Sequence, residues 1–298
     1  MTRPAPIAEN DLTRFLKANP HVTLAHLDGH ILHVHIDSTT PITQALALGT
    51  FQGIEMIVHA AQPIRPLWLL TRRPRATSPH TACQNEPVKL GCQIQPKGAN
   101  WVGTAGAPCA WIADDKSTKW GILSNWHVMH GGLGRHGFTQ HQPSDDQPAI
   151  AHLDDWIQPE SVGPNLVDAA IADSLIDGKH TIAWAILGQP AFSPAPIDAT
   201  PGQAVYKSGR TTGATPGVCT AIGASARVDY GSFNALFQDQ DIFEGAGTLF
   251  SAAGDSGSMI LAGEDRQPTS LLFAGGGKLT IANPIRHVIE ALSLSFQP

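Results

Sequence analysis

The 298-residue chain is predicted to be mainly β, with a small α/β unit in front and one helix at its end. Three observations predict this. Glycine (29) and proline (23) together exceed one residue in six, while charged residues make up only 15%, a balance that favours turns over long solvated helices. From about Val88 to residue 283, short apolar stretches such as "WGILSNWHV", "AVYKSGRTTG" and "SLLFAGGG" are separated by Gly, Pro, Asp and Asn, as in a barrel or sandwich of many short strands. Sustained helical periodicity returns only in "PIRHVIEALSL" (284–294), read as a closing amphipathic helix.

At the front, "AENDLTRFLKA" (8–18) reads as a short amphipathic helix and "HVTLAHLDGHILHVHI" (21–36) as two alternating strands around Asp28-Gly29, a strong hairpin signal. "PITQALALG" (41–49) reads as helix and "IEMIVHAA" (54–61) as strand, giving a small α/β domain over 1–70. His26, His33 and His35 would share a hairpin face, since residues two apart in a strand point the same way. No carboxylate or thiol accompanies them, so they read as surface or interface histidines and no metal site is expected. Residues 71–87, polar and punctuated by proline, read as a linker, and the second domain spans 88–298.

A net charge of −6 offers no long-range attraction to nucleic acid or anionic membranes, and "RRPR" at 72–75 is the one basic run. Neither nucleic acid nor membrane is expected as a partner. Charges and prolines interrupt the N-terminus where a signal peptide needs an apolar core, so the expected location is cytoplasmic. Cys83, Cys92, Cys109 and Cys219 lack zinc-ligand spacing and read as free buried thiols rather than bridges.

"AAGDSGSMIL" (252–261) sets Ser256 between two glycines at the mouth of an apolar run. A serine hydroxyl becomes an effective nucleophile only beside a base that a carboxylate orients. His127 is the candidate base, because it ends an apolar strand in "GILSNWHVMHG" whereas His130, His136 and His141 fall in a polar, glycine-rich loop. Asp168, flanked by apolar residues in "NLVDAAIADSL", is the candidate carboxylate, since a buried carboxylate needs partners such as an imidazole N–H. Position 258 is Ser, so the G-x-S-x-G elbow of α/β-hydrolases is absent. Gly254 instead permits a turn in which its N–H and that of Ser256 converge on one oxygen as an oxyanion hole. "GRTTG" (209–213) lacks phosphate-loop spacing and reads as a hairpin turn.

The order His127, Asp168, Ser256, spaced by 41 and 88 residues in "LSNWHV", "VDAAIA" and "GDSGS", resembles the trypsin/chymotrypsin-like serine peptidases. "GTAG", "KSGRTTGATPGV" and "LLFAGG…IANPI" add a likeness, over about 88–298, to a bacterial intracellular branch without the disulfides of the secreted enzymes. The resemblance implies two six-stranded antiparallel β-barrels with a C-terminal helix. His127 and Asp168 would stand on barrel one and Ser256 on barrel two, cleaving peptide bonds through an acyl-enzyme without any cofactor. The expected partner is a protein or peptide substrate.

Members that cut after Arg or Lys carry an aspartate six residues before the nucleophile, where this chain has Phe250. The expected pocket, formed by Phe250, Phe273, Ala274 and Gly275, therefore suits apolar or small residues. Trp126 stands before the base where this branch often has a smaller polar residue. In many secreted relatives a new N-terminus made by cleavage pairs with the aspartate before the nucleophile, here Asp255, and the 71–87 linker offers a cut site. Residues 1–70 are expected to form a regulatory or docking module. The alternatives are a latent protease-fold binding module controlled by that region, and a metal-dependent sensor built on the hairpin histidines.

Overall fold

The computed structural model describes residues 8–40, 51–67, 69–70, 78–82, 87–175, 182–191 and 193–297. Helix α1 (Asp11–Ala18) starts at Asn10, whose side chain accepts the Thr13 N–H and caps the first turn. β1 (Val22–Asp28) and β2 (Ile31–Asp37) form a hairpin over Gly29 and His30, with Gly29 in the left-handed region at φ +57°. β3 (Glu55–Ala61) runs parallel to β2, followed by the short strands β4 (Arg65–Pro66) and β5 (Leu69–Leu70). The helix expected over 41–49 lies outside the described residues.

Barrel one begins with β6 (Val88–Leu90), β7 (Cys92–Pro96), β8 (Trp101–Ala105), β9 (Ala107–Ile112) and β10 (Thr118–Ser124). The one-turn helix α2 (Trp126–Met129) precedes β11 (Thr139–His141), β12 (Ala149–Ile157) and β14 (Ala169–Ser174), while β13 (Pro164–Asn165) joins the sheet of barrel two and β15 (Ile182–Ile186) pairs with β6 in a separate two-stranded sheet. Its antiparallel sheet runs in the order β9, β10, β14, β12, β11, β7, β8. Inward side chains such as Ile94, Cys109, Ile122, Val128 and Leu153 are fully or almost fully buried.

Barrel two comprises β16 (Ala204–Gly209), β17 (Gly213–Asp229), β18 (Asn234–Gly245), β19 (Met259–Ala262), β20 (Gln267–Gly276) and β21 (Leu279–Pro284). The order β18, β21, β20, β19, β16, β17 closes on itself because β17 also pairs with β18. Helix α3 (Ile285–Leu292) then buries Ile285, Val288 and Leu292 in the core of barrel one, and β22 (Leu294–Ser295) pairs there with β9.

The front of the chain differs from a self-standing domain. Irregular pairing at three points between Cys219 and Ala226 bends β17, as bulges do. Its outer half accepts β1 as a neighbour, Leu24 opposite Ala226 and Ala25 opposite Ser225. An exposed hairpin edge leaves backbone donors unpaired, and this junction satisfies them. Arg227 reinforces it by donating to the Leu16 carbonyl at 2.6 Å. Within the expected linker, residues 71–77 and 83–86 lie outside the described residues, but the His80 carbonyl accepts the Gln93 N–H at 2.8 Å and its ring meets the Ser208 hydroxyl at 3.0 Å.

Cys92, Cys109 and Cys219 are free and buried, and burial pushes the thiols of Cys92 and Cys219 up to about 12. Cys83 lies outside the described residues. Among the described residues no helix is long and apolar enough to cross a membrane.

Candidate active site

The register of barrel one brings His127 and Asp168 together. Ser124, at the end of β10, stands opposite Ala170 near the start of β14, so the residues just beyond one strand lie beside those just before the other. The His127 ring presents Nδ1 to Asp168 Oδ2 at 2.6 Å, and its backbone N–H reaches Oδ1 at 3.3 Å. A nitrogen that close to a carboxylate carries the proton, so that in the neutral ring the lone pair is on Nε2. Nε2 is buried and has no hydrogen-bond partner.

Asp168 is held from several sides. The Tyr230 hydroxyl donates to Oδ2 at 2.6 Å, the Asp168 N–H donates to Asn283 Oδ1 at 3.0 Å, and Asn125 donates to the Asp168 carbonyl at 2.7 Å. Burial and the adjacent carboxylate push the Tyr230 phenol well above its ordinary value, so it remains a donor. Neither Tyr230 nor Asn283 carries a local sequence signal, because each reaches Asp168 only through the meeting of the two barrels.

The Ser256 turn is shaped by glycines. Gly254 and Gly257 have φ of +103° and +94°. A Cβ on Gly257 would lie 2.2 Å from both the Ser124 hydroxyl oxygen and the Thr104 carbonyl, and one on Gly106 would lie 2.0 Å from the Gly257 carbonyl. Thr104 completes the clamp, donating its N–H to the Ser256 carbonyl at 2.8 Å and its hydroxyl to the Gly254 carbonyl at 2.9 Å.

Ser256 itself is fully buried, and its hydroxyl donates to the Phe273 carbonyl at 2.8 Å. Of the three sequence candidates, His127 and Asp168 are in contact, while the serine hydroxyl is given to a backbone acceptor. The N–H groups of Gly254 and Ser256 do converge on one oxygen, the carbonyl of Leu67, at 2.5 and 3.2 Å.

Asp255 is not left waiting for a new chain terminus. Its carboxylate accepts the N–H groups of Thr211 (2.7 Å), Thr212 (3.2 Å) and Ala252 (2.9 Å), and faces the Lys207 ammonium at 3.4 Å. Lys207 is itself fully buried, and that burial lowers its affinity for the proton. The positive charge thus comes from β16, inside barrel two.

Phe250 does not line the open cleft. Its ring is fully buried beside Phe243, with Lys207 Nζ 6.0 Å from its centroid. Phe273 and Ala274 are also fully buried and contribute backbone groups. A cleft of about 450 Å³ is instead walled by Leu249, Ser251, Ala252, Gly275 and Gly276, with Leu67 forming part of the wall.

The front histidines form a stack, with His59 from β3 joining His26, His33 and His35 at ring separations of 4.7 to 5.7 Å. His33 Nδ1 meets His59 Nε2 at 2.9 Å, so these nitrogens bond to each other instead of pointing at a common centre. Among the described residues no group of three or more His, Cys, Asp or Glu is arranged to hold a metal ion. Burial and neighbouring imidazoles hold His26 down at about 4 and His35 at about 3.

No family model matches the chain, and no curated protein matches it in sequence. Its structure is similar to that of an alpha-lytic protease homologue named N4, 14% identical, with a TM-score of 0.52 over 70% of this chain and 99% of the other. A protease from Nocardiopsis, 17% identical, matches with a TM-score of 0.50 over 70% of this chain and 97% of its own. The fold is that of the bacterial trypsin/chymotrypsin-like serine proteases.

Proposed function

We propose that the chain is a serine endopeptidase that acts through an acyl-enzyme on Ser256. The observation that carries this reading is the His127–Asp168 pair with an unpartnered Nε2, together with the two backbone N–H groups of Gly254 and Ser256 aimed at one carbonyl oxygen. A serine-protease fold supports it. Ser256 Oγ attacks the substrate carbonyl while His127 Nε2 takes its proton. The C–N bond then breaks, and His127 returns the proton to the leaving amine. Water deprotonated by His127 repeats the cycle and frees the acyl group. Asp168 orients the imidazole, and Gly254 and Ser256 N–H groups stabilise the oxyanion by about 3 kcal/mol each.

The occupied cleft favours a second reading, a latent binding module, and one experiment separates the two. In a full-length Leu67→Asp chain, a carboxylate in place of the half-buried leucine beside Leu249, Leu279 and Gly275 weakens the seating of the segment, which opens the site to a fluorophosphonate probe. The folded variant is expected to acquire one adduct, on Ser256, and to lose it when His127→Ala or Ser256→Ala is added. A folded Leu67→Asp chain without the adduct overturns the peptidase reading in favour of the binding module.

A further inference from the structure

The protein's own chain runs along the cleft, and the manner of its pairing is that of a peptide about to be cut. Leu67 turns its carbonyl oxygen to the N–H groups of Gly254 and Ser256 and gives its own N–H to the Phe273 carbonyl at 3.1 Å. Upstream, Pro66 and Arg65 pair antiparallel with Ala274 and Gly275 of β20 in barrel two. Downstream, Leu69 and Leu70 pair antiparallel with Val102 and Trp101 of β8 in barrel one. The segment therefore crosses from one barrel to the other, and the crossing point is the Leu67 carbonyl. Pairing of an extended peptide with exposed strand edges on both sides of a reacting centre fixes register and orientation through backbone bonds alone.

Side chains adapt the cleft to this segment. A Cβ on Gly275 would lie 3.0 Å from Leu67 Cδ1, and one on Gly276 would lie 2.8 Å from the Pro63 carbonyl. Two glycines thus give the segment room. Ile64 is 1% exposed and packs with Phe237 and Phe273, anchoring the upstream end. Its carbonyl accepts the Asp229 N–H at 2.9 Å, and Arg65 pairs with the Asp229 carboxylate at 3.2 Å.

We propose that this segment is the enzyme's first substrate and that Ser256 cleaves the bond from Leu67 to Trp68 within its own chain. The inference rests on the peptidase reading above and adds a substrate, a cut site and a preference for leucine before the scissile bond. The step begins with rotation of the Ser256 hydroxyl from the Phe273 carbonyl to His127 Nε2. Oγ then bonds to the Leu67 carbonyl carbon as its proton passes to Nε2, and the negative charge forms on an oxygen already held by two N–H donors. The C–N bond to Trp68 breaks, and the imidazolium gives its proton to the Trp68 amine. Water then adds to the acyl group, with His127 as base, and leaves a Leu67 carboxylate and a free Ser256. Until the bond is cut, the segment covers a fully buried Ser256 and excludes other peptides.

The test is the intact mass of the full-length chain, followed over time after purification. The wild type is expected to separate into residues 1–67 and 68–298 at a rate independent of protein concentration. Ser256→Ala and His127→Ala are expected to stay single chains. Cleavage at another bond, cleavage that persists in Ser256→Ala, or a rate that rises with concentration overturns the inference. A wild type that stays whole while the Leu67→Asp chain takes up the fluorophosphonate overturns self-cleavage and leaves the peptidase reading standing. If the wild type stays whole and the folded Leu67→Asp chain is unlabelled, both fall.

Discussion

Replacing Lys207 with Met tests what holds the Ser256 turn in place. The ammonium lies 3.4 Å from Asp255 Oδ2, with both side chains fully buried, and it also donates to the Gly213 carbonyl at 3.0 Å and to the Thr212 hydroxyl. At that separation and an effective dielectric of about 20, the attraction is about 5 kcal/mol. Breaking a buried pair by removing one partner costs about 3–5 kcal/mol, because the remaining charge stays uncompensated. Three backbone N–H groups and the Thr212 hydroxyl still reach the Asp255 carboxylate in the variant, which puts the expected loss near the lower end, about 3 kcal/mol. Met matches the length of the lysine stem, so no sizeable cavity adds to the loss.

The assay is urea unfolding followed by circular dichroism, in a Ser256→Ala background so that no cleavage occurs during the titration. Adding Asp255→Asn to Lys207→Met is expected to recover part of the loss, since it removes the stranded charge. A Lys207→Met chain within about 0.5 kcal/mol of its parent would refute the reasoning. So would a double variant whose loss equals the sum of the single ones, because coupled partners are not additive.

Tyr230→Phe deletes the buried donor to Asp168 Oδ2, a hydrogen bond to a charged group worth about 1.5–3 kcal/mol. The rate of Ser256 labelling in the Leu67→Asp chain is expected to fall about tenfold or more, and an unchanged rate would remove Tyr230 from the site. The histidine stack makes stability depend on pH: His26 and His35 bind protons near 6.5 when unfolded but only near 4 and 3 when folded. Their contribution is fully present above about pH 6.5 and is lost as pH falls toward those values, by about 2 kcal/mol for His35 at pH 5, with His26 acting in the same direction. Thermal melts of Ser256→Ala at pH 7.5 and 5 are expected to show this loss, and His35→Phe to reduce it; equal sensitivity in both chains would count against the stack as its source.

The strands of barrel two, the front hairpin and the closing helix were legible because each is local. Alternation in "HVTLAHLDGHILHVHI" and turn residues such as Gly29 report which side chains are buried and where the backbone must reverse. Periodicity could not show that β1 joins the outer half of β17, since pairing partners some 200 residues apart are chosen by which edges are free. The pocket reading suffered in the same way. The resemblance sets Phe250 where members that cut after Arg or Lys have a pocket aspartate, yet its ring packs into barrel two beside Phe243, and its carbonyl accepts from Thr215 at 2.8 Å.

By itself, the sequence determined a β-rich chain of short strands and marked His127, Asp168 and Ser256 as the candidate base, carboxylate and nucleophile. Only the tertiary structure decided that Tyr230 and Asn283 hold the aspartate, that Lys207 answers Asp255, and that the Leu67 carbonyl takes the N–H groups of Gly254 and Ser256. The physical reason lies in the backbone. The groups that seat Leu67 are N–H and C=O groups, which nearly every residue carries alike, so their pairing leaves no mark in the order of side chains and appears only when two barrels and a crossing strand share one cleft.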